Sequence, residues 1–443
     1  MNLERQVFDA GVVGAGGAGF PTYKKLVPGV ELLVVNAAEC EPLLASDQYL
    51  MRHNAAQIIA GIQAVVSSCG IPRAVIGTKS HYVAEIAALR EAIADAGAAI
   101  EIVGVDSFFP AGDEQVLIYE ITGRTVPPGG IPLDVGIVVM NVTTLFNVAD
   151  ATAGRPVTRK LVTVTGQVRT PVVVDAPVGS LVSDLIDAAG GVTADPYVIV
   201  RGGPMMGKHY PMSVAATLGF GKADGGLVVL PATHPLVRFV GKPLDRLVAE
   251  TKSMCIQCQM CTDLCPRHLI GHQMRPHRVM RAIQSGLDPV DLKDALLCCE
   301  CGICELYACP MELSPRRMNI YAKGLLRAQG IQVDDRTVYP DQTDMRDSRR
   351  IPQHRLIDRW QLSDYPTSID DLVRLDPSVV SLPTKHGVGQ AATPCVVVGD
   401  VVRCGQVVAE VPFGNVGAPV HASIDGRVVE VTDDHVTIKQ EGM

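Results

Sequence analysis

The sequence has few aromatic residues and no excess of basic ones. Aromatic side chains make up 4% of the 443 residues, with one tryptophan, and 39 Lys and Arg stand against 47 Asp and Glu, which gives a net charge of -8. Binding to nucleic-acid phosphates needs a basic face. The acidic balance therefore argues against DNA or RNA as a partner.

Long apolar runs are also missing, and no leader is expected. Glycine, proline or a polar residue breaks every apolar run before the roughly 18 residues that indicate a membrane span. The first residues, MNLERQVFDAG, lack the basic-then-apolar plan of a signal peptide. We expect a cytoplasmic protein without a membrane span. A hydrophobic fraction of 47% is typical of a folded chain, and the length suits three or four domains.

The sequence is rich in cysteine, and most of the cysteines lie in one segment. Nine of the 13 cysteines fall between Cys255 and Cys309. Because a cytoplasmic environment keeps thiols reduced, metal ligation explains them better than disulfides. The first run, C-x2-C-x2-C-x3-C-P, consists of Cys255, Cys258, Cys261, Cys265 and Pro266. The second run, whose last spacing is one residue longer, consists of Cys298, Cys301, Cys304, Cys309 and Pro310. Such runs are typical of ferredoxins with two 4Fe-4S clusters.

In two-cluster ferredoxins the fourth cysteine of each run binds the other cluster. The predicted ligands of one centre are Cys255, Cys258, Cys261 and Cys309. The predicted ligands of the other are Cys298, Cys301, Cys304 and Cys265. Cys299 adjoins Cys298, but only Cys298 has the regular spacing to Cys301, so Cys299 is left outside the set. Two zinc sites are the alternative, although zinc ribbons typically use two C-x2-C pairs separated by a longer loop.

The stretch from Arg267 to Arg281 carries four arginines and three histidines. Two interpretations stay open for it. The cations raise the potential of a cluster or dock an acidic partner, or they form a solvated helix face.

The pattern of apolar residues predicts several domains. Residues 1–150 alternate strand-like runs with helical periodicity, which indicates an α/β domain with a largely parallel sheet. Residues 155–240 predict a small α+β domain, and residues 246–325 are helical and cysteine-rich. Residues 331–380 are polar and proline-punctuated, as in a linker or a wrapping segment. Residues 381–443 return to short strands with glycine turns and predict an all-β module.

A glycine-rich loop, GAGGAGFPTYKK, places Gly14, Gly16, Gly17 and Gly19 before a helix-compatible stretch. Glycines there let backbone N–H groups approach a phosphate. The spacing also fits G-x-G-x-x-G, but the apolar run before it is too weak and short for the strand of a dinucleotide fingerprint. Turn glycines and helix-capping acids are the alternative interpretation.

Four motifs occur in the order of a known family. The glycine loop, NAAECEP (36–42), AGDEQVLI (111–118) and NVTTL (141–145) resemble the flavin-binding subunit of respiratory complex I and, more closely, the RnfC-type subunits of ion-pumping ferredoxin:NAD oxidoreductases. The resemblance implies a Rossmann-like domain that binds FMN and NADH. Ala38 departs from it, because the complex I pattern usually has Asp there.

The resemblance also implies the roles of single residues. The FMN phosphate would be held by Gly14, Gly16, Gly17 and Lys25, with Gly19 completing the loop. Asn36 and Asn141 would contact the ribityl chain or the flavin ring. The nicotinamide nucleotide would lie near Glu39, Glu41 and Phe20. Asp113 and Glu114 would line the same cleft.

The flanking modules resemble the same family. Residues 155–240, with VTVTGQV and RGGPMMG, resemble its β-grasp SLBB module, and residues 381–443 resemble a barrel-sandwich hybrid. No lysine stands in the hairpin PFGNVGAPV, so lipoyl or biotinyl attachment is excluded and a structural or docking role is expected. RnfC-type proteins carry this module first, whereas it is last here.

That order, together with CCECGICELYACPM at 298–311, resembles the cobalamin reductases of the 1,2-propanediol utilization microcompartment. The resemblance implies an NADH-dependent oxidoreductase with FMN and two 4Fe-4S clusters. Cobalamin or its adenosyltransferase would be the electron acceptor, and shell or enzyme proteins of a microcompartment would be partners. An RnfC-like protein that transfers electrons between NADH and ferredoxin and a non-enzymatic iron–sulfur carrier are the alternatives.

Overall fold

The N-terminal domain is built on a four-stranded parallel sheet in the computed structural model, which describes residues 2–286, 292–340 and 344–441. The strands, in the order β3-β2-β1-β5, are β1 (Leu32–Ala37), β2 (Arg73–Lys79), β3 (Ile100–Val105) and β5 (Ile137–Asn141). A short strand, β4 (Phe108–Phe109), lies outside this sheet. The helices are α1 (Leu3–Asp9), α2 (Ser46–His53), α3 (Ala55–Cys69), α4 (Val83–Asp95), α5 (Glu114–Thr122) and α6 (Val142–Thr152). The central strand β1 is almost fully buried, as strands of parallel sheets usually are.

The second domain contains a six-stranded mixed sheet in the order β12-β7-β6-β10-β8-β9. Its strands are β6 (Arg159–Gly166), β7 (Val172–Pro177), β8 (Tyr197–Arg201), β9 (Lys208–Pro211), β10 (Gly226–Pro231) and β12 (Leu372–Arg374). Helix α7 (Val182–Ala188) buries Val182, Leu185 and Ile186 in the core of this domain. Strand β12 comes from much later in the chain and completes the sheet beside β7.

The cysteine-rich domain is helical. Its helices are α8 (Pro235–Val240), α9 (Leu244–Met254), α10 (Met260–Asp263), α11 (Pro276–Ser285) and α12 (Pro315–Ala328). Short 3-10 turns at His268–Ile270 and Lys293–Leu297 and a π-helical turn at Cys304–Ala308 separate them. The apolar faces of α9, α11 and α12 share one core. Most of the cysteines lie in the turns between these helices, where closely spaced thiols can point to a common centre.

The segment 331–380, predicted as a linker or a wrapping segment, lies against three domains. Strand β11 (Ile351–Pro352), between α13 (Arg346–Arg349) and α14 (Gln353–Arg359), pairs with β4 of the N-terminal domain. The indole N–H of Trp360 donates to the carbonyl oxygen of Leu306, in the cysteine-rich domain, at 2.9 Å. Strand β12 then joins the second domain. The segment therefore wraps the molecule.

The C-terminal module consists of two small sheets. One contains β13 (Val379–Pro383), β15 (Val401–Val402), β18 (Gly426–Val431) and β19 (His435–Lys439). The other contains β14 (Thr393–Pro394), β16 (Val407–Glu410) and β17 (Val420–His421). Within the described ranges, no helix has the length and apolar character needed to span a bilayer.

Candidate functional site

The glycine loop turns between Val13 and Pro21, which are joined by an isolated antiparallel bridge. Within the described residues no strand precedes the loop, and a four-residue 3-10 turn, Thr22–Lys25, follows it. The loop therefore lacks the strand and the long helix of a dinucleotide fingerprint. Gly16 and Gly17 are exposed, and a Cβ on Gly17 would meet no atom within 4 Å. This open side gives a phosphate access to backbone N–H groups.

Gly19 faces the C-terminal module instead. Its φ is +64°, and a Cβ there would lie 1.9 Å from the carbonyl oxygen of His386. In the same contact, the N–H of Val388 donates to the carbonyl oxygen of Ala18 at 3.0 Å. Only glycine permits both this backbone conformation and this approach. The structure thus places Gly19 in the packing between two domains.

Lys25, Phe20 and Glu114 come together behind the loop. The Lys25 ammonium donates to Glu114 Oε1 and to the carbonyl oxygen of Val139, both at 2.9 Å. It also lies 6.0 Å from the centre of the Phe20 ring. Glu114 is the first residue of α5, so this helix positions the carboxylate that orients Lys25.

Asn36 and Asn141 are register partners at the carboxyl ends of β1 and β5. This edge of a parallel sheet is where α/β domains usually bind ligands. Asn36 Nδ2 donates to the carbonyl oxygen of Gly112 at 2.9 Å, and Asn141 Nδ2 donates to Asp47 Oδ2 at 2.7 Å. A Cβ on Gly16 would lie 3.6 Å from Asn141, so the second asparagine borders the glycine loop.

Glu39 and Glu41 follow β1 at the same edge. Burial, with a smaller contribution from Asp47, raises the pKa of Glu39 to about 7, and burial raises the pKa of Glu41 to about 8. Glu41 Oε2 accepts the N–H of Met205 at 2.9 Å, while its Oε1 is buried without a partner among the described residues. Carboxyl groups with such pKa values can exchange protons near neutral pH.

Asp113 faces the cysteine-rich domain. Its carboxylate caps α5, and Arg267 Nη2 donates to Asp113 Oδ2 at 2.9 Å. The two side chains are only 15% and 10% exposed. The family resemblance implies that Asp113 lines the nucleotide cleft, whereas in the structure its carboxylate joins the domain of the glycine loop to the turn that follows Cys265.

The structure brings the cysteines of the first predicted set together. Burial and the neighbouring thiols of Cys309, Cys255 and Cys258 raise the pKa of Cys261 to about 12. These four residues line one cavity of about 340 Å³, with Met280, Met311 and Leu313 among its apolar walls. Cys258 is exposed at its rim, whereas Cys261 and Cys309 are buried.

The second predicted set also converges. Cys298 and Cys265 lie close enough to Cys304 to raise the pKa of its thiol. Cys304 and Cys265 do the same to the thiol of Cys301. Cys301 packs in the same apolar core as Phe109 of the N-terminal domain. The second set therefore adjoins the domain of the glycine loop.

Cys298 and Cys299 differ in their surroundings. Cys298 Sγ accepts the N–H of Glu300 at 3.3 Å and a weaker contact from Asn319 Nδ2 at 3.8 Å. A hydrogen bond with Cys301 and, against the effect of burial, the charge of Arg267 lower the pKa of Cys299 to about 7. Both thiols border the second set, so spacing is the argument that distinguishes them.

The donor chemistry of both sets fits iron–sulfur clusters. Four clustered thiolates repel one another, and iron is a cation that sulfur ligands bind well. Among the described residues, no three His, Cys, Asp or Glu side chains are arranged to hold a single metal ion.

Sequence reasoning missed several polar residues of this region, among them Asp47, Lys79 and Gln353. Lys79 is 1% exposed, and its ammonium donates to Gln353 Oε1 at 2.7 Å. Gln353 Nε2 in turn donates to the carbonyl oxygen of Cys40 at 3.0 Å. Asp47 lies six residues after Glu41, and this closeness to the NAAECEP motif is the sequence feature that could have pointed to it. Lys79 and Gln353 are 274 residues apart, and no motif links them.

Four family models match the chain. They are the Nuo51 FMN-binding domain at residues 7–150, the SLBB domain at 161–208, the 4Fe-4S dicluster domain at 254–314 and the RnfC barrel sandwich hybrid domain at 368–443. These matches confirm the predicted fold class, a multidomain α/β chain with flavin, β-grasp, dicluster and C-terminal barrel-sandwich parts.

Two similar proteins are named cobalamin reductase, and a third belongs to an ion-translocating oxidoreductase complex. Cobalamin reductase PduS of Salmonella typhimurium is 41% identical over 98% of this chain and 96% of its own length, and the protein of that name from Citrobacter freundii is 40% identical over 99% and 96%. A component of the Na(+)-translocating ferredoxin:NAD(+) oxidoreductase complex of Acetobacterium woodii is 33% identical over 60% of this chain and 58% of its own length.

A solved structure shares the fold. The crystal structure of an NAD+-reducing [NiFe]-hydrogenase in the H2-reduced state superposes with a TM-score of 0.51 at 20% identity, covering 75% of this chain and 63% of that chain.

The flavin-binding and dicluster models, matched in one chain whose cysteines form two groups, define a class: the protein is a flavin and iron–sulfur oxidoreductase. Because the identity of 41% extends over nearly the whole of both chains, the protein belongs to the cobalamin reductase PduS family. The predicted family and enzyme class are thereby confirmed.

Proposed function

We propose that this protein is an NADH-dependent cobalamin reductase that holds FMN and two 4Fe-4S clusters. The 41% identity to cobalamin reductase PduS over 98% of the chain carries the proposal. The glycine loop and the two cysteine groups support it. When bound, FMN accepts two electrons as a hydride and 4Fe-4S clusters carry one electron at a time, which suits a metal centre as acceptor.

The glycine loop and its neighbours hold FMN in this proposal. Gly16 and Gly17 offer backbone N–H groups on the open side of the loop, whereas the N–H of Gly14 donates to the carbonyl oxygen of Phe20 and shapes the turn. Lys25 supplies a positive charge that Glu114 orients. Asn36 and Asn141, fixed side by side at the ends of β1 and β5, address the ribityl chain or the ring. Gly19 completes the loop, because its lack of a side chain lets the C-terminal module pack against it.

The nicotinamide nucleotide lies on the side of Glu39, Glu41 and Phe20. Glu41 is held by the loop that contains Met205, and its second carboxylate oxygen is left for a ligand. Both glutamates are half-buried, so their carboxyl groups are partly shielded from bulk water. Excluding water there prevents competing reactions of a reduced cofactor.

The cysteines hold the clusters in the crossed arrangement. One cluster takes Cys255, Cys258, Cys261 and Cys309. The other takes Cys298, Cys301, Cys304 and Cys265. The second set borders the N-terminal domain through Phe109 and the pair of Asp113 and Arg267, whereas the first set reaches the surface at Cys258.

The acceptor in this proposal is cobalamin, either free or on its adenosyltransferase. The setting is the cytoplasm, within a microcompartment whose shell or enzyme proteins are further partners. The name of the PduS relatives supports this part of the proposal.

Anaerobic reconstitution of the full chain with FMN, iron and sulfide tests the proposal. We expect bound FMN, bleaching of its absorbance by NADH, and faster electron transfer to cob(III)alamin than to ferredoxin. A protein that binds no FMN would be an iron–sulfur carrier rather than an NADH-dependent enzyme. Faster transfer to ferredoxin would favour the RnfC-like function.

A further inference from the structure

Arg267 is a buried cation between the N-terminal domain and the second cysteine group. It follows Cys265 by two residues, and its side chain is 10% exposed. Its Nη2 donates to Asp113, whereas its Nη1 is buried and has no hydrogen-bond partner within the described residues. A buried donor without an acceptor costs free energy. The guanidinium therefore has hydrogen-bonding capacity left beyond Asp113, on a side where the thiol of Cys299 lies.

The groups that face Arg267 are one carboxylate and two thiols. Burial opposes the charge of the guanidinium, but Asp113, Cys299 and Cys301 more than offset it, so the pKa of Arg267 is raised. Asp113 is itself fixed, because it caps α5 through the N–H groups of Gln115 and Val116. The cation is thus held in place beside the cysteines.

We propose that Arg267 raises the reduction potential of the cluster held by Cys265, Cys298, Cys301 and Cys304, and that Asp113 limits this effect. The inference rests on the proposed function, since it needs the cluster. Each added electron makes a cluster more negative, and a nearby cation or an N–H donor to sulfur stabilises the reduced form. Because the pair is buried, solvent screens these charges little.

The two partners carry opposite charges, so their removal has opposite effects. Arg267→Gln removes the cation and lowers the midpoint potential of this cluster. Asp113→Asn leaves the cation uncompensated and raises the potential. Arg267→Lys keeps the charge but loses the planar guanidinium that binds Asp113. Its midpoint potential should lie between those of Arg267→Gln and the wild type. A residue that only holds the fold would not give shifts of opposite sign.

The measurement is a redox titration of the anaerobically reconstituted full chain, followed by electron paramagnetic resonance. The signal of this cluster is identified as the one that Cys304→Ser alters. Arg275→Gln is the matched control, because Arg275 also pairs with an aspartate, which in its case is Asp294 of its own domain, at 2.7 Å. We expect the control to shift this signal less than Arg267→Gln does.

The outcomes separate the inference from the proposed function. A wild-type chain that takes up no iron or sulfide contradicts the proposed function. Wild-type clusters with shifts of the same sign in Arg267→Gln and Asp113→Asn, or with no shifts, overturn the role of Arg267. Where Arg267→Gln holds less iron than the wild type, Asp113→Asn decides: an upward shift supports the inference, and its absence overturns it.

Discussion

Cys298 and Cys299 are neighbouring residues of one type to which we assign different roles. Cys298 lies three residues before Cys301 and accepts the N–H of Glu300 at its sulfur. N–H donors to sulfur are a common feature around cluster ligands. Cys299 is hydrogen-bonded to Cys301 and attracted by Arg267, so in our proposal it belongs to the surroundings of the ligands and is not one of them.

We predict that Cys298→Ser and Cys299→Ser differ in iron content after reconstitution. Cys298→Ser removes a proposed ligand, so about half of the iron and sulfide should be lost if the chain holds the two 4Fe-4S clusters that we propose. Cys299→Ser should keep the wild-type content. Chemical analysis of iron and acid-labile sulfide measures the content of both variants. Loss in Cys299→Ser alone would reverse the assignment, and equal loss in the two variants would contradict it.

Glu41 makes stability depend on pH. Its pKa is raised from 4.5 to about 8, mainly by burial, so the folded protein prefers the protonated form while the unfolded chain is already ionised above 4.5. The stabilisation is complete below pH 4.5 and is lost as the pH rises towards 8, by about 1.4 kcal/mol for each pH unit at most.

Glu41→Gln should remove this loss. We expect the difference in free energy of unfolding between wild type and variant, measured with denaturant, to move in favour of the variant as the pH rises from 4.5 to about 8. Glu91→Gln, at an exposed position of α4, serves as the control and should track the wild type. A difference that does not change with pH would show that Glu41 ionises freely in the folded protein.

At the scale of elements, the glycine loop depends on the C-terminal module that covers one end of it. The loop of His386 and Val388 packs on Ala18 and Gly19, and Lys24 donates to the carbonyl oxygen of Gly414 at 2.6 Å. Two separate loops of the module therefore hold the segment that carries the candidate FMN residues.

Gly19→Ala tests this contact, with Gly29→Ala as the matched control. Both glycines have positive φ, +64° and +80°, but a Cβ on Gly29 would meet no atom within 4 Å. The control should lose about 1 kcal/mol of stability for backbone strain, and Gly19→Ala should lose about 1–3 kcal/mol more for overpacking. Thermal unfolding and FMN content measure the effect, and equal losses would mean that the contact is unimportant.

The elements differ in how far sequence could predict them. The runs LLVVNA and VAEIAALREAIAD carry strand and helix patterns of adequate length, and both form as expected. Strands β11 and β12 have two and three residues inside a charged, proline-rich segment, and they exist because partner strands offer open edges. Such short strands have no periodicity to detect.

The residues of the candidate site also differ in how far the sequence could predict them. Cysteine spacing and the glycine motif point to ligands because the chemistry is local in sequence. The pair of Asp113 and Arg267 joins residues 154 apart, and the need for glycine at position 19 arises from His386 in another domain. Contacts of this kind follow from how domains dock, which no local pattern reports.

At the scale of the whole molecule, the domains are fastened to one another by buried polar contacts. Lys222 of the second domain is 2% exposed, and its ammonium donates to the carbonyl oxygens of Gly11 at 2.9 Å and of Pro419 at 2.8 Å. One side chain thus joins the N-terminal domain, the second domain and the C-terminal module. Together with the wrapping segment, this contact keeps the flavin and cysteine regions in one arrangement.

The most direct test compares the reconstituted chain with and without FMN, both loaded with iron and sulfide. NADH and cob(III)alamin are added anaerobically, and the absorbances of flavin and cobalamin are followed together. We expect that NADH bleaches the flavin and that cobalamin is reduced only by the FMN-loaded chain. Equal rates of cobalamin reduction with and without FMN, or no bleaching by NADH, would contradict it.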